Sequence, residues 1–164
     1  MNKSQWVLIT TFAASFYSVG TIWMTDFGWR LWPYVAPGDF DAYHGAWWSM
    51  IKPVIFPVAA IAFFGSIALI WLRPAGVTAA PVWINIVLQV ATYTLTAAFW
   101  GRWQGQMHHA RLPDGSLDPL YLRTMSTHWI RGAFITASGC IVFWMVLQHL
   151  SSKARVLSQA FSPR

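Results

Sequence analysis

The sequence predicts an all-α membrane protein, a four-helix transmembrane bundle in which two helices extend beyond the bilayer on one side. Three observations predict this fold class: 56% of the residues are hydrophobic, only 10% are charged, and the apolar residues fall in four long runs. Soluble domains usually contain roughly 25% charged residues. We therefore expect one transmembrane domain over residues 1–164 and the lipid bilayer as its main surroundings.

Each apolar run has about the 20 residues that a helix needs to cross the hydrocarbon core. The first follows a single charge, Lys3, and exceeds the usual length of a signal-peptide core, so we interpret it as an uncleaved helix. Arg73-Pro74-Ala75-Gly76 ends the second helix in a short turn, whereas the other two connections are longer. The predicted spans are residues 6–25, 51–73, 81–101 and 129–149.

Two helices are expected to begin well before their apolar runs. Asp39 follows Pro37-Gly38 and suits an N-cap, and Asp118 is an N-cap candidate followed by Pro119. The second and fourth helices should therefore start near Phe40 and Pro119. At 1.5 Å per residue each is about 45 to 51 Å long, more than the bilayer core requires.

Orientation depends on Lys and Arg near the spans, which are almost evenly divided. We expect both termini in the cytoplasm and the two longer connections outside, because Lys52 and Arg131 on that second side look partly embedded. The first side carries Lys3, Arg73, Lys153, Arg155 and Arg164; the second carries Arg30, Lys52, Arg102, Arg111, Arg123 and Arg131. These cations form no patch, which argues against nucleic-acid binding.

Polar stripes on all four predicted helices indicate that their polar faces meet inside the bundle. The structural interpretation of the Ser, Thr, Asn and Gln residues is interhelical hydrogen bonding, without a role in ligand binding. All five acids fall between the apolar runs, so the interior should be nearly free of acids. The stripes are Thr11, Ser15, Ser18 and Thr25 in the first helix and Asn85, Gln89, Thr92 and Thr96 in the third.

Two further stripes could carry chemistry. His44, Trp48 and Lys52 share one face of the second helix, and Thr124, His128 and Arg131 share one face of the fourth. We predict that His44, His128 and Arg131 converge in one outward-opening catalytic site. The predicted ligand-binding residues are Trp48, Lys52, Trp100, Trp103 and Thr124.

Cofactors are less defined by the sequence. A metal site could use His44, His108, His109 and His128, although their spacing matches no known ligand motif and ordinary hydrogen-bonded histidines are the alternative. A b-type haem between His44 and His128 is less favoured, because both lie near one end of the bundle. Cys140 is the single cysteine, which excludes an iron–sulfur cluster within one chain; we expect it to be a packing residue.

Most of the twelve Trp residues lie at span ends and suit an interfacial belt. Trp48, Trp100 and Trp103 are the expected exceptions, because they share faces with the polar stripes and could wall an aromatic pocket.

Four motifs along the chain form a pattern: Phe40-x-x-Tyr43-His44-x-x-Trp47, Lys52-Pro53 with Pro57, Arg73-Pro74, and Leu122-Arg123-Thr124-x-x-Thr127-His128-Trp129-Ile130-Arg131. Together they resemble a bacterial four-helix membrane family related to the anthrone-oxygenase-like domain. That family often has Asn at the position of His128. The resemblance covers nearly the whole chain and implies a small protein of the bacterial inner membrane, sometimes associated with oxidation of an aromatic polyketide-type substrate.

Three functions remain open from the sequence. The first is an oxidoreductase or oxygenase-like protein that binds a hydrophobic aromatic or quinone-like molecule, with His44 or His128 as the acid or base and Arg131 stabilising charge on oxygen. The second is a non-catalytic subunit of a homo-oligomer or larger membrane complex, and the third is small-molecule transport. An open pocket would favour the first function, and a closed interior in which neighbouring side chains satisfy His44 and His128 would favour the second. The residues expected to line the open pocket are His44, Lys52, Trp100, His128 and Arg131.

Overall fold

Four long helices run antiparallel in sequence order and confirm the predicted fold class. The computed structural model describes residues 1–160, so Arg164 lies outside the described residues. The helix starts predicted at Phe40 and Pro119 are confirmed. The first helix is Lys3–Trp29, the second Phe40–Ala68 and the fourth Pro119–Ala160; the third comprises Ala79–Leu95, a π-helical turn at Thr96–Trp100, and Gly101–Gly105.

One predicted helix end is confirmed, and two others differ from the prediction. Asp118 caps the fourth helix, since its Oδ1 accepts hydrogen bonds from the backbone N–H groups of Leu120 (2.6 Å) and Tyr121 (3.4 Å). Asp39 occupies the N-cap position of the second helix, but its side chain accepts no capping bond. The second helix also ends at Ala68, earlier than predicted, so the connection expected to be short, 69–78, is as long as 30–39.

We name the two ends of the bundle by a histidine at each. The His128 end carries connections 30–39 and 106–118. The His149 end carries connection 69–78, the start of the first helix and the end of the fourth helix. At the His128 end the connections fold inward around a buried cluster. Its buried members are Trp29, Trp32, Phe40, Met107, Ala110 and Tyr121.

Polar side chains of the second, third and fourth helices bond to one another, as predicted for all four helices, whereas Thr11, Ser18 and Thr25 of the first helix donate only to carbonyls of their own helix. Asn85 Nδ2 and Gln89 Nε2 donate to Ser66 Oγ at 2.7 and 2.9 Å, and Ser138 Oγ donates to Asn85 Oδ1. The expectation that Cys140 packs in the core is wrong, because its side chain is exposed. Cys140 is two residues beyond buried Ser138, about 200° around the helix, and so lies on the lipid-facing side.

The first and second helices approach closely where Gly65 faces Thr11. A Cβ atom at Gly65 would overlap the Thr11 hydroxyl, which is completely buried and donates to Val7 O at 2.7 Å. Small residues allow this kind of backbone approach between membrane helices.

Gly65→Ala is therefore expected to reduce the free energy of unfolding by about 1–3 kcal/mol, the usual cost of overpacking. Thermal unfolding in micelles measures the effect. Gly20→Ala is the control, because nothing lies within 4 Å of the added methyl group. Adding Thr11→Ala to Gly65→Ala should restore part of the loss; equal melting of the Gly65 and Gly20 variants would refute the close contact.

Candidate functional site

A buried cluster of charged and polar side chains links the first and fourth helices near the His128 end. His128 Nδ1 lies 3.1 Å from Asp26 Oδ1, and Arg131 Nη2 lies 2.7 Å from His128 Nε2. Only 1% of His128 and 5% of Asp26 is exposed. Arg30, with a mostly exposed side chain, pairs with the other carboxylate oxygen of Asp26 at 3.0 Å. We call Asp26, His128 and Arg131 the buried triad.

These contacts assign the protonation of His128. A guanidinium group can only donate hydrogen bonds, so Nε2 accepts from Arg131 and the ring proton is on Nδ1, where it is donated to Asp26. Both nitrogens are therefore engaged, and His128 orients Arg131 rather than standing free as an acid or base. The carboxylate of Asp26 compensates the buried cation through the imidazole ring.

The guanidinium of Arg131 is flanked by two indole rings. It lies 5.2 Å from the ring centroid of Trp29 and 5.7 Å from that of Trp100, within the range of cation–π attraction. Trp100 is fixed by a 3.0 Å hydrogen bond from its Nε1 to Thr127 Oγ1. Arg131 Nε is buried and has no partner among the described residues, so this donor remains unused.

A cavity of about 180 Å³ adjoins Arg131 between the four helices. Its walls are mostly apolar or hydroxyl-bearing, and Arg131 and Lys52 are the charged residues among the described residues that line it. Lys52, Phe56 and Tyr93 are exposed on the outside of the bundle, which indicates that the cavity opens laterally between the second and third helices. Other wall residues include Ser15, Ile22, Trp29, Trp47, Trp48, Gln89, Thr92, Ile135 and Ser138.

Several residues that line the cavity carry a buried polar atom without a partner among the described residues. Ser15 Oγ and Trp29 Nε1 are buried without a partner among the described residues, and both side chains line the cavity. Together with Arg131 Nε they are the kind of unpaired polar atoms that water or a ligand satisfies.

His44 lies apart from the buried triad. Its Nε2 accepts a 2.9 Å hydrogen bond from Trp48 Nε1, and its ring packs on Trp32 with centroids 4.9 Å apart. Trp29 contacts His128 (4.4 Å) and Trp32 (5.4 Å), so two indole rings fill the space between the histidines. His128 therefore contacts Arg131, whereas His44 is separated from both by the indole rings of Trp29 and Trp32. These rings leave no room for a haem between the two imidazoles.

The predicted ligand-binding residues divide into two groups. Trp48 and Lys52 line the cavity, with the Lys52 ammonium 5.4 Å from the Trp48 ring, and Trp100 contacts Arg131. Trp103 lies under Arg123 at 4.6 Å, and neither Trp103 nor Thr124 lines the cavity. The Thr124 hydroxyl is buried and without a partner among the described residues.

The other histidines have separate partners, which does not suit a shared metal ion. His108 pairs with Asp41 at 3.2 Å, and His109 with Asp118 at 3.3 Å. Within residues 1–160 no three His, Cys, Asp or Glu side chains are grouped as metal ligands.

Sequence reasoning missed Asp26, Trp29 and Trp32. The expectation of an interior nearly free of acids is wrong at Asp26, because the first helix continues to Trp29 and carries this carboxylate into the bundle. The interfacial interpretation is also wrong for Trp29 and Trp32, which are each 1% exposed. The buried stripe of the first helix was visible as far as Thr25, and extending its period by one turn would have included Trp29.

The interior of the bundle has features of both a closed structural core and a ligand site. Both ring nitrogens of His128 and the Nε2 of His44 are paired with neighbours, as expected of a structural subunit. The adjoining cavity is nevertheless open. Of the five residues expected to line such a pocket, Lys52 and Arg131 do so, whereas His44, Trp100 and His128 do not.

Comparison with known proteins matches the chain to no family model, no curated protein and no solved structure. The likeness to the anthrone-oxygenase-like domain therefore stays a prediction.

Proposed function

We propose that this protein binds a hydrophobic aromatic or quinone-like molecule in the cavity, with an oxygen of the ligand accepting a hydrogen bond from Arg131. The observation that carries the proposal is the unpaired Nε of a buried, indole-flanked guanidinium at the wall of an apolar cavity. A cation in low-dielectric surroundings attracts a carbonyl or anionic oxygen strongly, because water does not compete there.

The dimensions of the cavity favour a ligand with one ring inside the bundle. Its volume of about 180 Å³ is close to that of an engineered cavity of about 150 Å³ that binds benzene in another protein. Indole rings of Trp29 and Trp48 in the wall suit stacking or edge contacts with such a ring. Substituents can extend between the second and third helices into the lipid.

Oxidation or reduction of such a ligand needs an external electron acceptor or donor, and the contribution of this site would be electrostatic. The buried triad would stabilise negative charge on the ligand oxygen through Arg131, whose own orientation is held by His128. The alternative role as an accessory subunit gives no reason for three residues that line one cavity, Arg131, Trp29 and Ser15, each to carry a buried unpaired donor.

The proposal is tested with tetramethyl-1,4-benzoquinone, a membrane-soluble quinone with a single ring. Ala59→Phe introduces a benzyl group at a cavity-lining position and should abolish binding measured by tryptophan fluorescence quenching. Ala60→Phe is the matched control, because Ala60 is exposed and does not line the cavity. Unchanged quenching in the Ala59 variant, or equal loss in both variants, would place the quinone elsewhere and end the proposal.

A further inference from the structure

A second groove lies at the His149 end, on the lipid-facing side of the fourth helix. It has a volume of about 430 Å³, and its lining changes along the fourth helix from apolar to hydroxyl-bearing residues and then to Arg155 and Val156. Trp144, which is 56% exposed, and Leu147 form the apolar part. The polar part contains Ser151, Ser152 and Arg155, beside Gly76 of the facing connection.

The geometry of the connection forms one wall of this groove. Gly76 has a φ of +87°, and a Cβ atom there would overlap the side chain of Ser152. The connection is held against the fourth helix by Gln148, whose Oε1 accepts from Thr78 N at 3.3 Å, and by His149, whose Nδ1 donates to Ala75 O at 2.9 Å. Gln148 and His149 are thereby occupied, whereas Ser151 and Arg155 remain exposed.

Among the described residues, the charged side chains at this end have one sign. All five Asp residues are at the His128 end, either in the ends of helices or in the connections there. The chain contains no Glu. Arg155 therefore has no acidic side chain near it, and its neighbours in charge are Lys3, Arg73 and Lys153. A cationic end without acids attracts the anionic headgroups of a bilayer leaflet.

We propose that this groove is a binding site for an anionic phospholipid. The phosphate accepts hydrogen bonds from the Arg155 guanidinium and the hydroxyls of Ser151 and Ser152, a donor set suited to phosphate oxygens. One acyl chain lies along Leu147 and Trp144, which are two to three helical turns deeper. From Leu147 to Arg155 the helix rises about 12 Å, a distance that a phospholipid spans between its phosphate and its upper methylene groups.

Lipid retention by the full-length protein tests the site. The protein is exchanged into nanodiscs containing equal amounts of phosphatidylglycerol and phosphatidylcholine with identical chains, extracted into mild detergent, and the lipid retained is counted by native mass spectrometry. We expect wild type to retain phosphatidylglycerol preferentially and Arg155→Gln to lose this preference at least fivefold. Lys153→Gln is the matched control, because Lys153 is exposed on the same turn region but does not line the groove.

Three results would overturn the proposal. They are equal losses in the Arg155 and Lys153 variants, equal retention of both lipids by wild type, and displacement of the bound lipid by inorganic phosphate alone, which would indicate a site for the free anion. Thermal unfolding of Arg155→Gln should match that of wild type, since the side chain is exposed. This site is remote from the cavity, so its outcome is independent of quinone binding.

Discussion

Arg131→Gln is expected to weaken the binding of tetramethyl-1,4-benzoquinone about ten- to hundredfold. A hydrogen bond from a charged donor is worth about 1.5–3 kcal/mol, and every 1.4 kcal/mol corresponds to a factor of ten in affinity. Glutamine keeps a donor for His128 Nε2, so the support of the fourth helix remains while the charge at the cavity is removed. Fluorescence titration in micelles gives the dissociation constants.

Two controls separate this effect from a general disturbance. The first control is Arg123→Gln, which also removes an arginine that contacts an indole ring, that of Trp103. Arg123 does not line the cavity, so its substitution should leave the affinity for the quinone unchanged. The second control is 1,2,4,5-tetramethylbenzene, which has the same ring and methyl pattern without oxygen. Its binding, measured by calorimetry, should be insensitive to Arg131→Gln. A similar loss for hydrocarbon and quinone would show that Arg131 does not recognise oxygen.

Asp26→Asn is expected to lower the free energy of unfolding by about 3–5 kcal/mol, the typical cost of removing one partner from a buried charge pair. The amide oxygen can still accept from His128, but the negative charge that compensates Arg131 is lost. Arg30 also loses its ion-pair partner, a smaller effect because its side chain is 65% exposed. Thermal and chemical unfolding in micelles measure the change.

The pairing of charges can be tested further with variants at the same end. Asp41→Asn is the matched control, since Asp41 pairs with His108 at the surface and its loss should cost less than about 1 kcal/mol. The double variant Asp26→Asn/Arg131→Gln removes both charges and should be more stable than Asp26→Asn alone. If the double variant is the less stable of the two, Asp26 and Arg131 do not compensate each other.

Properties that depend on local sequence were predictable. Hydropathy identifies the four spans, and the Asp-Pro pair at 118–119 identifies the start of the fourth helix because capping involves residues only two or three apart. The interhelical hydrogen bonds of Asn85 and Gln89 also follow from period, since buried polar groups in a membrane need partners.

The candidate site was only partly predictable, because it depends on contacts between distant residues. Arg131 and His128 are one turn apart and could be paired from spacing, but Asp26 reaches them across 102 positions. An acid next to an apolar run is equally consistent with a helix end and with a buried partner. The separation of His44 from His128 depends on Trp32, which a 3₁₀ turn at Trp32–Tyr34 directs inward after the first helix has ended.

The π-helical turn at Thr96–Trp100 also explains why Trp103 is absent from the site. The buried stripe of Asn85, Gln89 and Thr92 would pass through residues 99 and 103 in an uninterrupted α-helix, but burial shifts to Trp100 and Gln104. A π turn contains one residue more than an α turn, so it changes the phase of everything that follows by about 100°. In evolutionary terms this turn behaves as a one-residue insertion. Consider a related chain with a regular α-helix here. If it lacks one residue within 96–99, its counterpart of Trp100 would still point towards Arg131; if it lacks none, its counterpart of Phe99 would point there instead.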